Sequence, residues 1–406
     1  MYISIMLFTM KRQRKEYIQS VFHLHFSRIF SFATYLSAKV PGLSLEKKLN
    51  KILKAIRYDG QNQIALKELY KIKKKHSFIK ALKKDDTDYD KIDSRIIELS
   101  SPIYKNDKLD LKGVLLVSFT SSFRTLLNSS KFKDLNEKYL FILEPSWTGY
   151  ADIDILAFCE AADDLIIQAT DLDDRALIST MYPSVDVIDI GASNWVNQDK
   201  FINYNNLNKK WDLLYVANNN PVKRVYRFIE IVDDLVKVNP DIKCRIVCAG
   251  WGGNSDDISL HLESKNLQNN IFVSNGVNQN ELIELYNESK VSVLFSLKEG
   301  SNRVLFESLS CNTPVFCVAE NRGVNKSYIN ESTGMIGHDS CCNEAILYLV
   351  KNYKNYNGRE WAIKNISPQS STDRIKSLIQ NKYSGKVNSN VAVKINNPEV
   401  EYLHLD

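Results

Sequence analysis

The chain has 406 residues, 44% of them apolar and 25% charged, proportions near the globular average that exclude a disordered, collagen-like or disulfide-scaffold protein. At roughly 100–200 residues per domain, two to three domains are expected. The net charge of +5 conceals an asymmetry, because residues 1–84 carry +15 and the remaining 322 carry −10. A polycation on a mildly acidic body points to an anionic partner for the amino-terminal end.

That end begins MYISIMLFTM and continues with Lys11, Arg12, Arg14 and Lys15. Ile18, Phe22, Phe26, Ile29, Ala33 and Leu36 then recur at helical spacing. Arg28 divides the stretch into uncharged pieces of 11 and 10 residues, short of the roughly 20 that a membrane-spanning helix needs. Residues 1–85 therefore read as a basic, helical extension. Two uses of it stand side by side: helices packed on their own domain with solvated lysines, or an amphipathic helix with a polybasic flank lying on an anionic membrane. No nucleic-acid module accompanies the charge, so nucleic acid is not an expected partner.

From about residue 92 the pattern changes to short β-rich runs: GVLLVSF (113–119), YLFILEP (139–145), DLIIQAT (164–170) and VDVIDIG (185–191). Residues 123–137 and 171–181 fit the helices between them. A second series follows: WDLLYVA (211–217), CRIVCAG (244–250), IFVSNG (271–276), VSVLFSL (291–297) and PVFCVAE (314–320). Apolar runs alternating with amphipathic helices imply parallel strands covered on both faces. Two doubly wound α/β domains are expected, over 86–208 and 209–382, with a boundary in the polar stretch 197–210 and a loosely ordered polar tail over 383–406. Ligands bind such sheets outside the strand carboxyl ends. The seven cysteines are odd in number and lack a C-x-x-C pair; neither a zinc site nor a disulfide framework is expected, and a reducing cytosol is the economical setting.

The sharpest local signal is FSLKEGSNRVLFESLSCNTPV (295–315). A strand ends at Leu297, Glu299 and Gly300 turn the chain, and a helix starts near Ser301 or Asn302. Free N–H groups and the positive end of the helix make this an anion site. Gly300 permits close backbone approach, Ser301 or Asn302 caps the helix, and Arg303 belongs to the same helix start. Glu299 stands at the mouth, where it can bond hydroxyl groups. Glu307, about 1.5 turns beyond Asn302, reaches another part of an elongated ligand.

Residues 270–315 resemble the donor-binding half of the family-four retaining glycosyltransferases. The family pattern is a Glu, seven residues, a second Glu, then a small residue with Pro-Val, matched by Glu299, Glu307, Thr313, Pro314 and Val315. The resemblance extends to YVANNNPVKR (215–224), VCAGWGG (247–253), WAIKNIS (361–367) and, faintly, IDIGASNWVNQDKF (188–201), covering roughly 140–370. It implies the GT-B architecture, two Rossmann-like domains facing a cleft. It also implies a retaining hexosyltransferase that uses a nucleotide-sugar donor, UDP-linked by family habit. Glu299 would be catalytic and contact the sugar hydroxyls, Glu307 would hold the ribose, and Lys223 would bind the diphosphate. Asn218 stands where the family has an Arg, and Arg224 is its candidate substitute. Gly250, with Gly252 and Gly253, is a close-approach turn beside the donor or a plain turn.

Lys223, Arg224 and the helix start would neutralise the departing diphosphate, so no metal or other cofactor is expected. The triplets Asp86/Asp88, Asp152/Asp154 and Asp171/Asp173 read as surface acids. The first domain departs from the family, lacking its Gly-rich loop and the His after a middle strand. Pro145-Ser146-Trp147-Thr148-Gly149-Tyr150 stands in the place of that His. Trp147 and Tyr150 either stack on sugar faces or are core aromatics. Ser146, Thr148, the loop SFTSSF (118–123) and Ser193-Asn194-Trp195 are acceptor-side candidates. The general base is unassigned. The expected partners are a nucleotide sugar, a growing glycan or lipid-linked acceptor and, through residues 1–84, an anionic membrane. Surface polysaccharide assembly in a bacterium, in the cytoplasm at the inner face of the membrane, fits this set. An epimerase or hydrolase acting on nucleotide sugars, and a non-catalytic sugar-nucleotide-binding membrane protein, are the alternatives.

Overall fold

A computed structural model describes residues 11, 14, 16, 18, 22, 25–82, 89, 95–205, 207–249, 255–394 and 402–403. The chain forms two compact units. The first joins His25–Trp195 to Pro368–Asp406, and the second joins Val196–Ser367 to Met1–Leu24.

The first unit starts with helices α1 (Ser27–Ser37), α2 (Leu45–Tyr58), α3 (Gln63–Lys73) and α4 (Phe78–Ala81). Ser44 and Asn62 cap α2 and α3 by accepting from the N–H groups of Lys47 and Ala65. Leu49, Ile52, Leu53 and Ile56 form one face of α2 and share a core with Leu115, Val117, Phe141 and Leu143 of the sheet. The expected extension over 1–85 is thus not a separate body from residue 25 onward, because its apolar helix faces bury against the first sheet. Glu16, from the segment that joins the second unit, is buried and accepts from the Tyr226 N–H.

The sheet contains β1 (Ile96–Ser100), β4 (Gly113–Ser118), β5 (Tyr139–Glu144), β6 (Leu165–Gln168) and β7 (Asp186–Ile188), in the order β1-β4-β5-β6-β7. The hairpin β2 (Ile103–Lys105) and β3 (Lys108–Leu111) precedes β4. β1 is antiparallel to β4 and the other pairs are parallel. Three crossovers carry four helices: α5 (Thr120–Asn128) and α6 (Phe132–Lys138) between β4 and β5, α7 (Ile153–Ala161) between β5 and β6, and α8 (Leu172–Met181) between β6 and β7. The helix expected over 123–137 is broken at Ser129, whose hydroxyl accepts from the Lys131 N–H instead of continuing the helix. Asp152 and Asp171, members of two D-x-D triplets, cap α7 and α8.

The second unit has six parallel strands: β8 (Trp211–Asn218), β9 (Cys244–Ala249), β10 (Ile271–Ser274), β11 (Ser289–Leu294), β12 (Val315–Val318) and β13 (Gly334–Gly337). Their order, β10-β9-β8-β11-β12-β13, is that of a doubly wound dinucleotide-type sheet, reversing between β8 and β11. The helices are α9 (Val225–Val238), α10 (Ser255–Ser264), α11 (Gln279–Glu288), α12 (Arg303–Ser310), α13 (Asn343–Asn352) and α14 (Gly358–Ile366). An apolar core lies on each face of the sheet. All seven cysteines are free and only Cys341 is exposed.

The chain then returns to the first unit as α15 (Pro368–Lys382). Ile375, Ile379, Tyr383, Val387 and Val391 cover the face of the first sheet formed by Leu116, Leu140, Ile142 and Ile166. This differs from the division at 208/209 and from a donor domain reaching 382. It also corrects the loose tail: residues 383–394 supply buried apolar groups and the buried Lys394. A parallel sheet needs both faces covered, and here α15 does so together with Trp195 of the turn Ala192–Trp195.

Candidate functional site

The carboxyl ends of β8 and β11 border a cavity of about 400 Å³ inside the second unit. Its walls include Tyr215, Val216, Ala217, Asn218, Val247 and Leu294 from the strands, and Lys223, Glu299, Ser301, Asn302, Arg303 and Glu307 from the following turns and α12. It lies where the strand order reverses, because connections leave β8 and β11 toward opposite faces and open a crevice there.

Lys223 ends a short helical turn over Pro221–Lys223 that Asn220 caps. Its Nζ donates to both carboxylate oxygens of Glu299 at 2.7 Å. Glu299 is 4% exposed, and its N–H donates to the Arg322 carbonyl at 2.8 Å, which fixes the turn after β11. Gly300 is half-buried between Glu299 and Ser301. Asn302 caps α12, its Oδ1 accepting from the Leu305 N–H at 3.2 Å. The helix therefore begins at Arg303 and presents its first turn to the cavity.

Glu307 is buried one turn further on. Its Oε2 accepts from the Tyr286 hydroxyl at 3.0 Å and its Oε1 from Arg303 Nε at 2.5 Å. Burial raises its pKa above the ordinary carboxylate value, with Arg303 acting the other way. Each carboxylate is held by its own cation, Glu299 by Lys223 and Glu307 by Arg303. A phosphorylated ligand would meet two cations, two carboxylates and a helix start on one wall.

Arg224 does not join this group. It adopts a left-handed backbone with φ +62° and is 3% exposed. Its guanidinium donates to the Phe295 carbonyl at 3.1 Å and to Asp339 at 2.6 Å. Burial alone would raise the Asp339 pKa, but Arg224 and Arg227 hold it below its usual value. Arg224 is corrected to a core ion-pair residue: its charge is neutralised by Asp339. Gly250 lies outside the described residues.

The acceptor-side candidates separate. Ser146 is half-buried, its Oγ accepting from the Thr120 N–H at 3.3 Å. Trp147 is 54% exposed. Tyr150 is a core residue, not a sugar platform, because its hydroxyl donates to the Gln168 carbonyl at 2.6 Å and its ring is buried. Asn194 is fully buried, with Oδ1 accepting from the Gly191 N–H and Nδ2 donating to Ser371; it ties the turn over Ala192–Trp195 to α15. Trp195 donates its indole N–H to Glu144 at 2.6 Å. Among the described residues, no group of three or more His, Cys, Asp or Glu is placed to hold a metal ion.

Sequence reasoning missed Tyr215, Ser296, Val247 and Tyr286. Tyr215, Val247 and Ser296 occupy strand ends on the cavity side of the sheet, a placement that becomes visible only once strand order is known.

Residues 197–365, nearly all of the Val196–Ser367 span of the second unit, match the family described as Glycosyl transferases group 1. No curated protein matches the sequence. Among solved structures, a TarM variant of S. aureus, in complex with fondaparinux, alpha-GlcNAc-glycerol and UDP, aligns with a TM-score of 0.51 and 19% identity over 64% of this chain and 53% of that one. This chain thus spans about half the length of the TarM structures it matches. Sucrose-phosphate synthase from Thermosynechococcus elongatus aligns with a TM-score of 0.52 and 15% identity, over 67% of this chain and 74% of that one. Anabaena HepE in complex with UDP gives a TM-score of 0.52 and 11% identity, over 66% and 78%. These likenesses establish the fold: two α/β units with parallel sheets, of the GT-B type, with a helical amino-terminal region.

Proposed function

We propose that this protein transfers a sugar, with retention of anomeric configuration, from a UDP-linked donor to a glycan or lipid-linked acceptor in bacterial surface polysaccharide assembly. The observation that carries this reading is the junction of Lys223, Glu299, the start of α12 and Glu307 around one cavity at the strand reversal. Breaking the bond between the anomeric carbon and the diphosphate leaves negative charge on the phosphate oxygens. Lys223 and the first N–H groups of α12 meet that charge as it develops. Glu299, released from Lys223 as the phosphates take its place, turns to the donor's hydroxyls, and Glu307 receives the ribose. Gly300 lets the backbone approach, and Arg303 opposes the upward pull of burial on the Glu307 pKa. The reading calls for no bound metal, so transfer should persist in a chelator.

The protein acts in the cytoplasm and reaches its acceptor at the inner face of the membrane through the basic residues 1–84. A screen of nucleotide sugars by thermal shift tests the donor, since a ligand of the native state raises apparent stability. Labelled donor with and without acceptor tests transfer, and anomer analysis of the product tests retention. Stabilisation by no nucleotide sugar would overturn the reading. A second reading is donor binding without transfer. It is favoured by Asn218 on the cavity wall, where the resemblance calls for an Arg, and by the burial of Tyr150 and Asn194. Donor binding with no turnover in native lipid extracts would select it.

A further inference from the structure

Helix α1 buries one narrow face and exposes a second, apolar one. Its buried positions are Ser31, Tyr35 and the adjoining Ala38. The Ser31 hydroxyl donates to the Ala55 carbonyl and accepts from Asn62 Nδ2, both at 2.7 Å. The Ser31 hydroxyl, with the buried Tyr35 ring and Ala38, thus fastens α1 to its own domain. Ile29, Phe32, Leu36 and Val40 are instead 64%, 49%, 50% and 55% exposed. Ile29, Phe32 and Leu36, spaced three and four residues apart, form a stripe along the helix, and Val40 follows in the turn beyond Ser37. Four large apolar side chains aligned outward are a surface awaiting an apolar partner.

The surroundings identify the partner by charge. Arg28 and Lys39 are exposed, and each precedes a member of the stripe by one residue. Residues 25–82 contain thirteen Lys and Arg against three acids. A second copy of this chain would bring like charge against like charge at such a surface. An anionic bilayer offers the complement of both features, acyl chains for the stripe and phosphate headgroups for the cations. Among the described residues no helix is long and apolar enough to cross a membrane, which leaves an in-plane orientation for α1.

We propose that α1 docks the protein on an anionic lipid surface, with Ile29, Phe32, Leu36 and Val40 inserted among the acyl chains and Arg28 and Lys39 at the headgroups. This rests on the membrane contact proposed above and makes it specific: insertion by one helix face rather than diffuse attraction by a basic segment. It is independent of the donor site.

The test is co-sedimentation of the full chain with vesicles of phosphatidylcholine alone and of phosphatidylcholine mixed with phosphatidylglycerol. The wild type is expected to bind the mixed vesicles, less at high salt. The triple variant Ile29→Ser, Phe32→Ser, Leu36→Ser is expected to partition at least about tenfold less. Because all three positions are exposed, its thermal unfolding should match the wild type. Phe32→Trp provides a readout that does not depend on the triple variant folding: its emission should shift to the blue on mixed vesicles. Equal binding by the triple variant, or no shift from Phe32→Trp, would overturn the insertion while leaving electrostatic membrane contact standing. Wild type that ignores both vesicles, including wild type that binds duplex DNA or self-associates through the stripe instead, would overturn both and leave sugar transfer untouched.

Discussion

The two sheets end differently. In the second unit the strand order reverses between β8 and β11, and the strand ends open into a cavity. In the first unit the parallel strands run β4-β5-β6-β7 without reversal, and polar side chains at their carboxyl ends are buried among themselves. Ser118, Glu144 and Gln168, at the ends of three adjacent strands, are all buried. Glu144 accepts from Ser118 at 2.9 Å, from the Trp195 indole at 2.6 Å and from Lys394 through both oxygens at 2.8 Å. Each unit therefore places a Glu–Lys pair beyond a central strand. The Lys223 side chain keeps 19% of its surface and the Lys394 side chain 5%. A carboxylate at a strand end does not mark a site by itself: Glu144 is bound up in buried hydrogen bonds, whereas Glu299 lines a cavity.

The contrast can be broken at its largest point with Lys394→Met. Glu144 would be left buried without its cation, and the first unit should lose about 3–5 kcal/mol, measured by denaturant unfolding, while nucleotide affinity of the second unit stays unchanged. Glu299→Gln should do the opposite, lowering turnover at least about a hundredfold, or ~2.7 kcal/mol, at unaltered unfolding midpoint. Lys223→Ala should weaken nucleoside diphosphate binding by about 1.5–3 kcal/mol in calorimetry, the worth of a charged hydrogen bond. Tyr150→Phe should cost only about 1 kcal/mol of stability by losing one buried hydrogen bond and leave transfer rates alone; a large fall in transfer would return Tyr150 to the acceptor side.

A pH series separates the units further. Burial, with help from Lys265, lowers the His261 pKa from 6.5 to about 4. Below pH 6.5 the unfolded chain takes up a proton that the folded unit refuses. The stability due to a neutral His261 is therefore present above pH 6.5 and lost as pH falls toward 4. Calorimetry should show the second unit's transition moving down over that window, and His261→Phe should flatten the movement.

Much of the second unit was legible because its signals are local. Glu299, Asn302 and Glu307 sit within nine residues, so one strand–turn–helix reading places all three. Partners far apart in sequence left no such trace. Arg224 looked like a substitute for the family Arg that Asn218 replaces, yet Asp339, 115 residues away, claims it. Tyr150 and Asn194 stood in polar loops at strand ends, and only the packing of Gln168 and Ser371 against them reveals their structural duty. The edge strand β1 and the short β13 were missed. The tail was misread because its few apolar residues, Tyr383, Val387 and Val391, are spaced among polar ones and gain meaning only from the bare sheet face they cover.

The return of the chain at residue 368 also sets an order of events during synthesis. The strands of the first sheet leave the ribosome roughly 200 residues before the helix that shields Leu116, Leu140 and Ile142, a delay of roughly 10–40 s at common translation rates. Throughout that interval a growing chain lacks the cover that Ile375, Ile379, Tyr383, Val387 and Val391 give this face. Full-length production should consequently depend on chaperone supply, and slowing translation beyond residue 195 should increase aggregation of the nascent protein.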